Sequence, residues 1–203
     1  NMNLKIEKVK ESRINQIDFS KLSFGKTFAD HMFICEYKDG QWQNPTIKPY
    51  APITLEPSAS VFHYGQAVFE GMKAYKDDNG HVFLFRPQEN YKRINKSCSR
   101  LAMPEFPEEW FDKALRTLVD IDSEWIKPGF GNALYLRPFM IATTAGVQAA
   151  PAKNYLFMII TAPVQAYYKG DVKVKIADYY SRAANGGFGF AKAAGNYAGQ
   201  FFP

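Results

Sequence analysis

The stretch Gly186-Gly187-Phe188-Gly189-Phe190-Ala191-Lys192-Ala193-Ala194-Gly195-Asn196-Tyr197-Ala198-Gly199 sets one lysine among small residues, with an Asn-Tyr pair close behind it. A lysine kept for solubility needs no such setting, because a flexible ammonium sits on any wet face. Glycine supplies backbone room and positive φ where something approaches closely. A desolvated lysine gives up its proton more readily and becomes an amine nucleophile, the start of Schiff-base chemistry with carbonyl compounds. Free lysine, with a pKa near 10.4, is a poor nucleophile at neutral pH. Taken alone, the stretch also reads as a Gly/Ala-rich loop with one exposed lysine. Chemistry has to be argued from the rest of the chain.

Two arginines are the next candidates. Arg137 lies inside the apolar run Leu134-Tyr135-Leu136-Arg137-Pro138-Phe139-Met140. An unpaired charge there is expensive, so it must meet a carboxylate, open onto a cleft or hold a buried pair. Tyr135 and Arg137 are two residues apart and face one side of a strand, where hydroxyl and guanidinium together could receive a carboxylate. A salt-bridged structural arginine fits the same pattern. Arg93 falls on a helix opened by Pro87, seven residues after Arg86. A guanidinium on a rigid helix suits a phosphate bidentately; a solvated basic face shared with Lys92 and Lys96 is the plainer alternative. The rings of His63-Tyr64 and Phe69-Glu70-Gly71 read first as core, and His63 as a hydrogen-bonded structural histidine.

Other chemistries lack their residues. There is no Ser-His-Asp arrangement, no P-loop, and no G-x-G-x-x-G opening a helix after a strand. Cys35 and Cys98 stand in different segments without a C-x-x-C, and the three histidines are scattered, so no zinc set is indicated. The two cysteines read as buried or free thiols of a reducing compartment, and the cytoplasm is the expected location. Lys and Arg exceed Asp and Glu by 5 but never form a block, which argues against nucleic acid and suits anionic small substrates. No apolar run approaches the roughly 20 residues that span a bilayer. A chain of 203 residues with 46% hydrophobic and 16% aromatic content can fill a sizeable core.

The elements that must position these residues are marked by turn and period signals. Residues 1–20 read as a polar N-terminal arm, with Asn1 ahead of Met2 as a leftover residue. Phe28–Tyr37 reads as a strand, followed by the turn Lys38-Asp39-Gly40 and a short run around Trp42. Pro45–Pro57 holds four prolines and is expected to be an extended surface loop. Gly65–Gly71 is expected to form one or two helical turns ended by glycine. Met72–Lys76 and His81–Arg86 flank Asn79-Gly80, a hairpin signal. Pro87 opens a helix to about Ala102, and Glu108–Ile126 is the best amphipathic helix, stopped by Pro128-Gly129. Asn132–Ala142 and Tyr155–Ala162 are long β-prone runs, and Val172–Ala177 alternates as a shorter strand. Strands in hairpin order around a pair of helices give an α+β fold for residues 21–162. Residues 163–170 then read as a linker and 171–203 as the start of a second domain. The apolar ending Phe201-Phe202-Pro203 is expected of a fragment.

Five motifs in order carry a resemblance: Phe24–Met32, His63–Tyr75, Leu84-Phe85-Arg86-Pro87, Leu134-Tyr135-Leu136-Arg137-Pro138 and Lys192-Ala193-Ala194-Gly195-Asn196-Tyr197. Together they resemble the branched-chain amino acid aminotransferases, members of the fold type IV class of pyridoxal 5'-phosphate enzymes. The resemblance implies a two-domain architecture, with a smaller N-terminal α/β domain complete here and a larger, barrel-like cofactor domain only begun. It implies that Lys192 forms the internal aldimine and moves the proton between substrate Cα and the cofactor. Tyr197 would reach the cofactor's phenolic oxygen, and Arg93 would grip its phosphate. Arg137 with Tyr135 would receive glutamate's distal carboxylate, and Phe28 and Phe69 would wall the apolar pocket for leucine, isoleucine and valine. Tyr64 would reach a neighbouring subunit's site, implying a homodimer, and Tyr167 would close over the substrate. The expected activity is transfer of the amino group of branched-chain L-amino acids to 2-oxoglutarate, in branched-chain amino acid biosynthesis or breakdown. One pocket must then take an apolar side chain and glutamate in turn, which calls for apolar walls and one arginine at the rim.

The glutamate expected to pair with the cofactor's ring nitrogen falls outside this sequence, and the loop Thr143–Ala150 is less typical of the family. A D-amino acid aminotransferase or an aminodeoxychorismate lyase would share the lysine and the helical arginine, but those families lack the Phe24–Met32 and Phe69–Tyr75 matches. A catalytically silent binding module is the alternative of a different kind.

Overall fold

In the computed structural model, which describes residues 1–166 and 170–202, one mixed sheet carries the molecule. Its strands are β1 Lys5–Ile6, β2 His31–Lys38, β3 Gln41–Pro49, β4 Ala67–Phe69, β5 Met72–Lys76, β6 Val82–Leu84, β7 Ala133–Ala142 and β8 Tyr155–Val164. They are ordered β1-β3-β2-β8-β7-β5-β6, with β4 paired to β7 beside β5. All these pairings are antiparallel except β1 with β3. The α+β expectation is borne out at this level.

The alternation of β7 explains how one strand serves two faces. Leu134, Leu136 and Met140 have no exposed surface and join the core, whereas Tyr135, Arg137 and Phe139 are half-buried on the opposite face. Helices α2 Pro87–Arg100 and α3 Glu108–Ile121 cover the core face. Ile94 and Cys98 of α2 and Phe111, Leu115 and Leu118 of α3 supply its apolar contacts. Phe106 stacks on Phe157 with ring centres 3.9 Å apart, and Phe33 and Phe111 meet Phe157 edge-on. Truncating a core phenylalanine of this kind costs about 3–5 kcal/mol.

Two strands, β4 and β5, lie end to end along β7, interrupted at Glu70-Gly71. Pro138 stands opposite the interruption and has no N–H to offer; its carbonyl accepts the Glu70 N–H at 2.8 Å. The break therefore falls where a ladder bond is unavailable anyway.

Several local expectations change. Residues Pro45–Pro49 are strand, not loop, because β3 has only the two-residue β1 on its outer side and Pro45 sits in the register shift between the Ile34–Thr46 and Glu36–Gln43 pairs. The helical turns lie earlier than expected, at Ser60–Tyr64 (α1), and Gly65 ends them with φ 67°. Ala67–Phe69 then extends along the open edge of β7. The second long helix stops at Ile121, and Ser123–Trp125 forms a 3-10 turn. Here Asp122 turns inward to bond His31, which takes the main chain off the helical path. Val172–Ala177 forms no strand; Val174 and Ile176 are exposed and find no paired edge among the described residues. The helix from Pro87 and the Asn79-Gly80 hairpin are as expected.

Candidate active site

Ala191-Lys192-Ala193 lies against β4 through an isolated bridge. Its alanines are buried, and Ala193 bridges Val68 of β4. The Phe69 N–H donates to the Lys192 carbonyl at 3.1 Å, and the Ala194 N–H to the Ala67 carbonyl at 3.0 Å. The Lys192 N–H donates to the Ser97 Oγ of α2 at 2.9 Å. The flanking alanines are buried while the lysine between them stays half-buried. The Asn196 side chain donates to the Phe188 and Ala191 carbonyls and closes the loop behind it. The short helix α4 Gly195–Ala198 then folds Tyr197 back, so that Lys192 Nζ donates to Tyr197 Oη at 3.0 Å.

The Phe69 ring is where the candidates meet. Lys192 Nζ lies 4.5 Å from its centre and the Arg137 guanidinium carbon 4.5 Å. The Tyr197 ring stands 5.0 Å away. Arg137 Nη2 donates to Tyr135 Oη at 2.9 Å, as their two-residue spacing requires for neighbours on one face. Tyr135 in turn meets the Phe24 ring edge-on at 4.9 Å. Among the described residues Arg137 has no carboxylate partner, and its buried Nε has no acceptor. With one nitrogen donating to the tyrosine oxygen, the guanidinium keeps further N–H donors, the buried Nε among them. That is the chemistry of an anion receiver. Gly71 makes room for this arrangement, since a Cβ there would collide with Tyr135 Oη.

Arg93 is oriented by a residue the sequence left unassigned. Glu70 has no exposed surface, and its two oxygens accept from Arg93 Nε at 2.6 Å and Nη2 at 2.8 Å. Asn90 Nδ2 and the Gly71 N–H also donate to the same carboxylate. The Glu70 hydrogen bonds, and then its charge, hold the Arg93 guanidinium above its ordinary pKa, with Tyr197 contributing from within electrostatic reach. One terminal guanidinium nitrogen remains outside this pairing, and the side chain is half-exposed. Arg93 thus shares an exposed helix face with Lys92 and Lys96 and is tied through its guanidinium to the buried Glu70. Phe69-Glu70-Gly71 was legible as a motif; that Glu70 belongs to Arg93 was not, because 23 residues separate them in the chain.

The structure thus brings Lys192, Tyr197, Phe69, Arg137 and Tyr135 into one cluster, with Arg93 joined through Glu70. Phe28 stacks on Tyr50, ring centres 4.9 Å apart, outside that cluster's contacts. Tyr64 is exposed and donates to the Val147 carbonyl of the loop after β7. Tyr167 lies outside the described residues. The glycines near Lys192 divide by use. Gly186 makes a turn with φ 77°, and the space at Gly189 is taken by Ala183, so these two serve the chain's own packing. Gly195 and Gly199 border open space.

The chain is 51% identical over 186 residues to branched-chain-amino-acid transaminase 1 of Bacillus subtilis, a match covering 89% of this chain and 52% of that protein. It is 47% identical over 200 residues to a probable branched-chain-amino-acid aminotransferase of Staphylococcus epidermidis, covering 96% and 55%. Among solved structures it is similar to the Escherichia coli branched-chain amino acid aminotransferase, with TM-score 0.56 at 19% identity over 83% of this chain and 52% of that one. That likeness speaks to the fold. No family model matches. The chain spans about half the length of the curated relatives it matches.

Proposed function

We propose that this chain, a relative of the branched-chain aminotransferases, carries the lysine half of a pyridoxal 5'-phosphate site that moves the amino group of branched-chain L-amino acids to 2-oxoglutarate. The observation that carries the proposal is the meeting of Lys192 Nζ and Tyr197 Oη at 3.0 Å beside the Phe69 ring, with a donor-only Arg137 on the same ring. The donor set suits the cofactor: an amine for its carbonyl carbon, a phenol for its ring hydroxyl, and a guanidinium nitrogen left for its phosphate. Pyridoxal phosphate, when bound, supplies the electron sink for the bond broken at the substrate α-carbon.

The chain's own residues do the rest. Lys192 holds the proton removed from the α-carbon and returns it, on a main chain clamped by Ser97 and Phe69. Tyr197 accepts from Lys192 Nζ and so fixes where that proton is held. Arg93, braced by Glu70, directs its remaining nitrogen to the phosphate. Phe69 gives the substrate side chain an apolar wall, with Phe28 as a further one. Arg137 and Tyr135 receive glutamate's distal carboxylate when it replaces leucine, isoleucine or valine.

We also propose a homodimer, supported by the exposed Phe62 and Tyr64 of α1 and by the exposed Val147, whose carbonyl accepts from Tyr64, since exposed apolar residues suit coverage by a second copy. The linker expected at 163–170 would start only after Val164, where β8 ends, and lead to a cofactor domain that begins at 171. Cys35 and Cys98, as buried free thiols, suit a cytoplasmic enzyme.

In full-length protein incubated with pyridoxal 5'-phosphate, borohydride reduction should fix the cofactor's mass on the peptide containing Lys192. Lys192→Ala should abolish that adduct and the accompanying visible absorbance while leaving the melting temperature within a few degrees. An adduct on another lysine, or none in wild type, would refute the assignment.

A further inference from the structure

Ser97 sits near the end of α2 with no exposed surface, and its hydroxyl has two partners. It donates to the Arg93 carbonyl one turn back at 3.0 Å and accepts the Lys192 N–H at 2.9 Å. A hydroxyl has one hydrogen to give and lone pairs to receive, so both bonds form together and each has a fixed direction. We propose that Ser97 is a positioning residue whose single oxygen sets the separation between the main chain of Arg93 and that of Lys192. The proposal rests on the cofactor reading above, in which those two residues address opposite ends of one rigid molecule.

Helix stability does not explain the serine. A serine that bonds back to the i−4 carbonyl slightly weakens its helix, and alanine is the better helix former. Nor do the neighbouring contacts duplicate its work. Lys96 Nζ lies 5.4 Å from the Phe190 ring and the Arg100 guanidinium 5.9 Å from the Phe188 ring. Both rings are exposed, and both contacts hold the approach to the loop rather than residue 192 itself. Among the described residues, Ser97 supplies the side-chain bond to the Lys192 main chain. The Phe69 N–H holds the carbonyl side, which leaves the amide side to Ser97. Loss of that bond frees the lysine main chain to shift relative to α2. A misplacement of about 1 Å is enough to cost on the order of a hundredfold in rate.

The test uses full-length protein and a readout taken before any cofactor is added. Hydrogen exchange of the Lys192 amide is followed residue by residue in wild type, Ser97→Ala, Ser97→Cys and Ser97→Thr, together with melting temperature. Pyridoxal 5'-phosphate is then titrated to obtain its Kd. Ser97→Ala and Ser97→Cys should speed Lys192 exchange by about tenfold or more and weaken cofactor binding by roughly 5–30-fold. Ser97→Thr should keep both within about threefold, since a threonine hydroxyl can also bond the i−4 carbonyl. If Ser97→Ala fails to fold, Ser97→Cys, of similar shape but poor hydrogen-bonding power, decides the matter. Unchanged Lys192 exchange in the variants lacking the hydroxyl, or cofactor Kd within twofold of wild type, overturns the proposal. So does a Ser97→Thr variant as impaired as Ser97→Ala. If wild type takes up no cofactor at Lys192, the cofactor reading falls, and the exchange rates still decide whether Ser97 holds the lysine main chain.

Discussion

Arg137 shows how a residue's neighbours convert a cost into a use. It lies mid-strand in an apolar run, has no carboxylate partner among the described residues, and keeps a buried Nε without an acceptor. The Phe69 face and the Tyr135 hydroxyl offset part of the cost. An incoming carboxylate would satisfy the remainder. Arg137→Ala should therefore lower kcat/KM for glutamate by about 10–100-fold, the worth of a charge-assisted hydrogen bond. The loss for leucine should stay below about fivefold, because an apolar side chain makes no such bond. Equal losses for both donors, measured with a common acceptor, would remove Arg137 from the carboxylate role. At this scale the sequence disclosed what lies close along the chain. The shared face of Tyr135 and Arg137 follows from strand period alone, and Lys192 with Tyr197 from one short turn. Glu70 with Arg93 and Ser97 with Lys192 join different elements, and no local period announces them.

At the scale of elements, the N-terminal arm is fastened by a buried polar cluster whose Asp30 and His31 lie in the Phe24–Met32 motif, although the motif assigned them no such part. Val9 donates its N–H to His31 Nε2, which leaves Nδ1 to donate to Asp122 at 2.7 Å. Asp30 accepts from Ser12 Oγ, the Arg13 N–H and Trp125 Nε1. The two aspartates move in opposite directions. Burial pushes the Asp122 carboxyl up, against the hydrogen bonds from His31. Burial also opposes ionisation of Asp30, but the bonds from Ser12, Arg13 and Trp125 outweigh it and hold Asp30 below its ordinary value of 3.8. A folded pKa below the unfolded one stabilises above the unfolded value and is lost as pH falls through the folded value. Asp30→Asn presents an amide to a ring of donors and should cost about 1–3 kcal/mol near neutral pH. The gap to wild type in urea midpoint should narrow below about pH 4, as Asp30 itself takes up a proton. A gap that stays constant from pH 6 to 3 would show that its charge is not what matters. The helices and the Asn79-Gly80 hairpin were legible because their periods and turn residues agree. The region Pro45–Pro49 misled because proline argues against a central strand, and only the pairing pattern reveals that β3 is nearly an edge.

The whole molecule is a sheet with two uses, a core face under α2 and α3 and an open face bearing Phe69, Tyr135 and Arg137. Onto that sheet's margin the Ala191–Tyr197 segment brings the lysine. The α+β class followed from element order, and the five spaced motifs pointed to relatives that are 51% and 47% identical to this chain over the matched 186 and 200 residues. The expected strand at Val172–Ala177 illustrates what composition cannot supply: alternation specifies a strand only where an edge is present to pair with it. Amino-group transfer itself is tested most directly by isotope transfer in full-length protein supplied with pyridoxal 5'-phosphate. Given 15N-labelled leucine and 2-oxoglutarate, the protein should produce 15N-glutamate, with isoleucine and valine also serving and D-alanine giving none. Transfer from D-alanine without transfer from leucine, or no label in glutamate from any branched-chain donor, would contradict it.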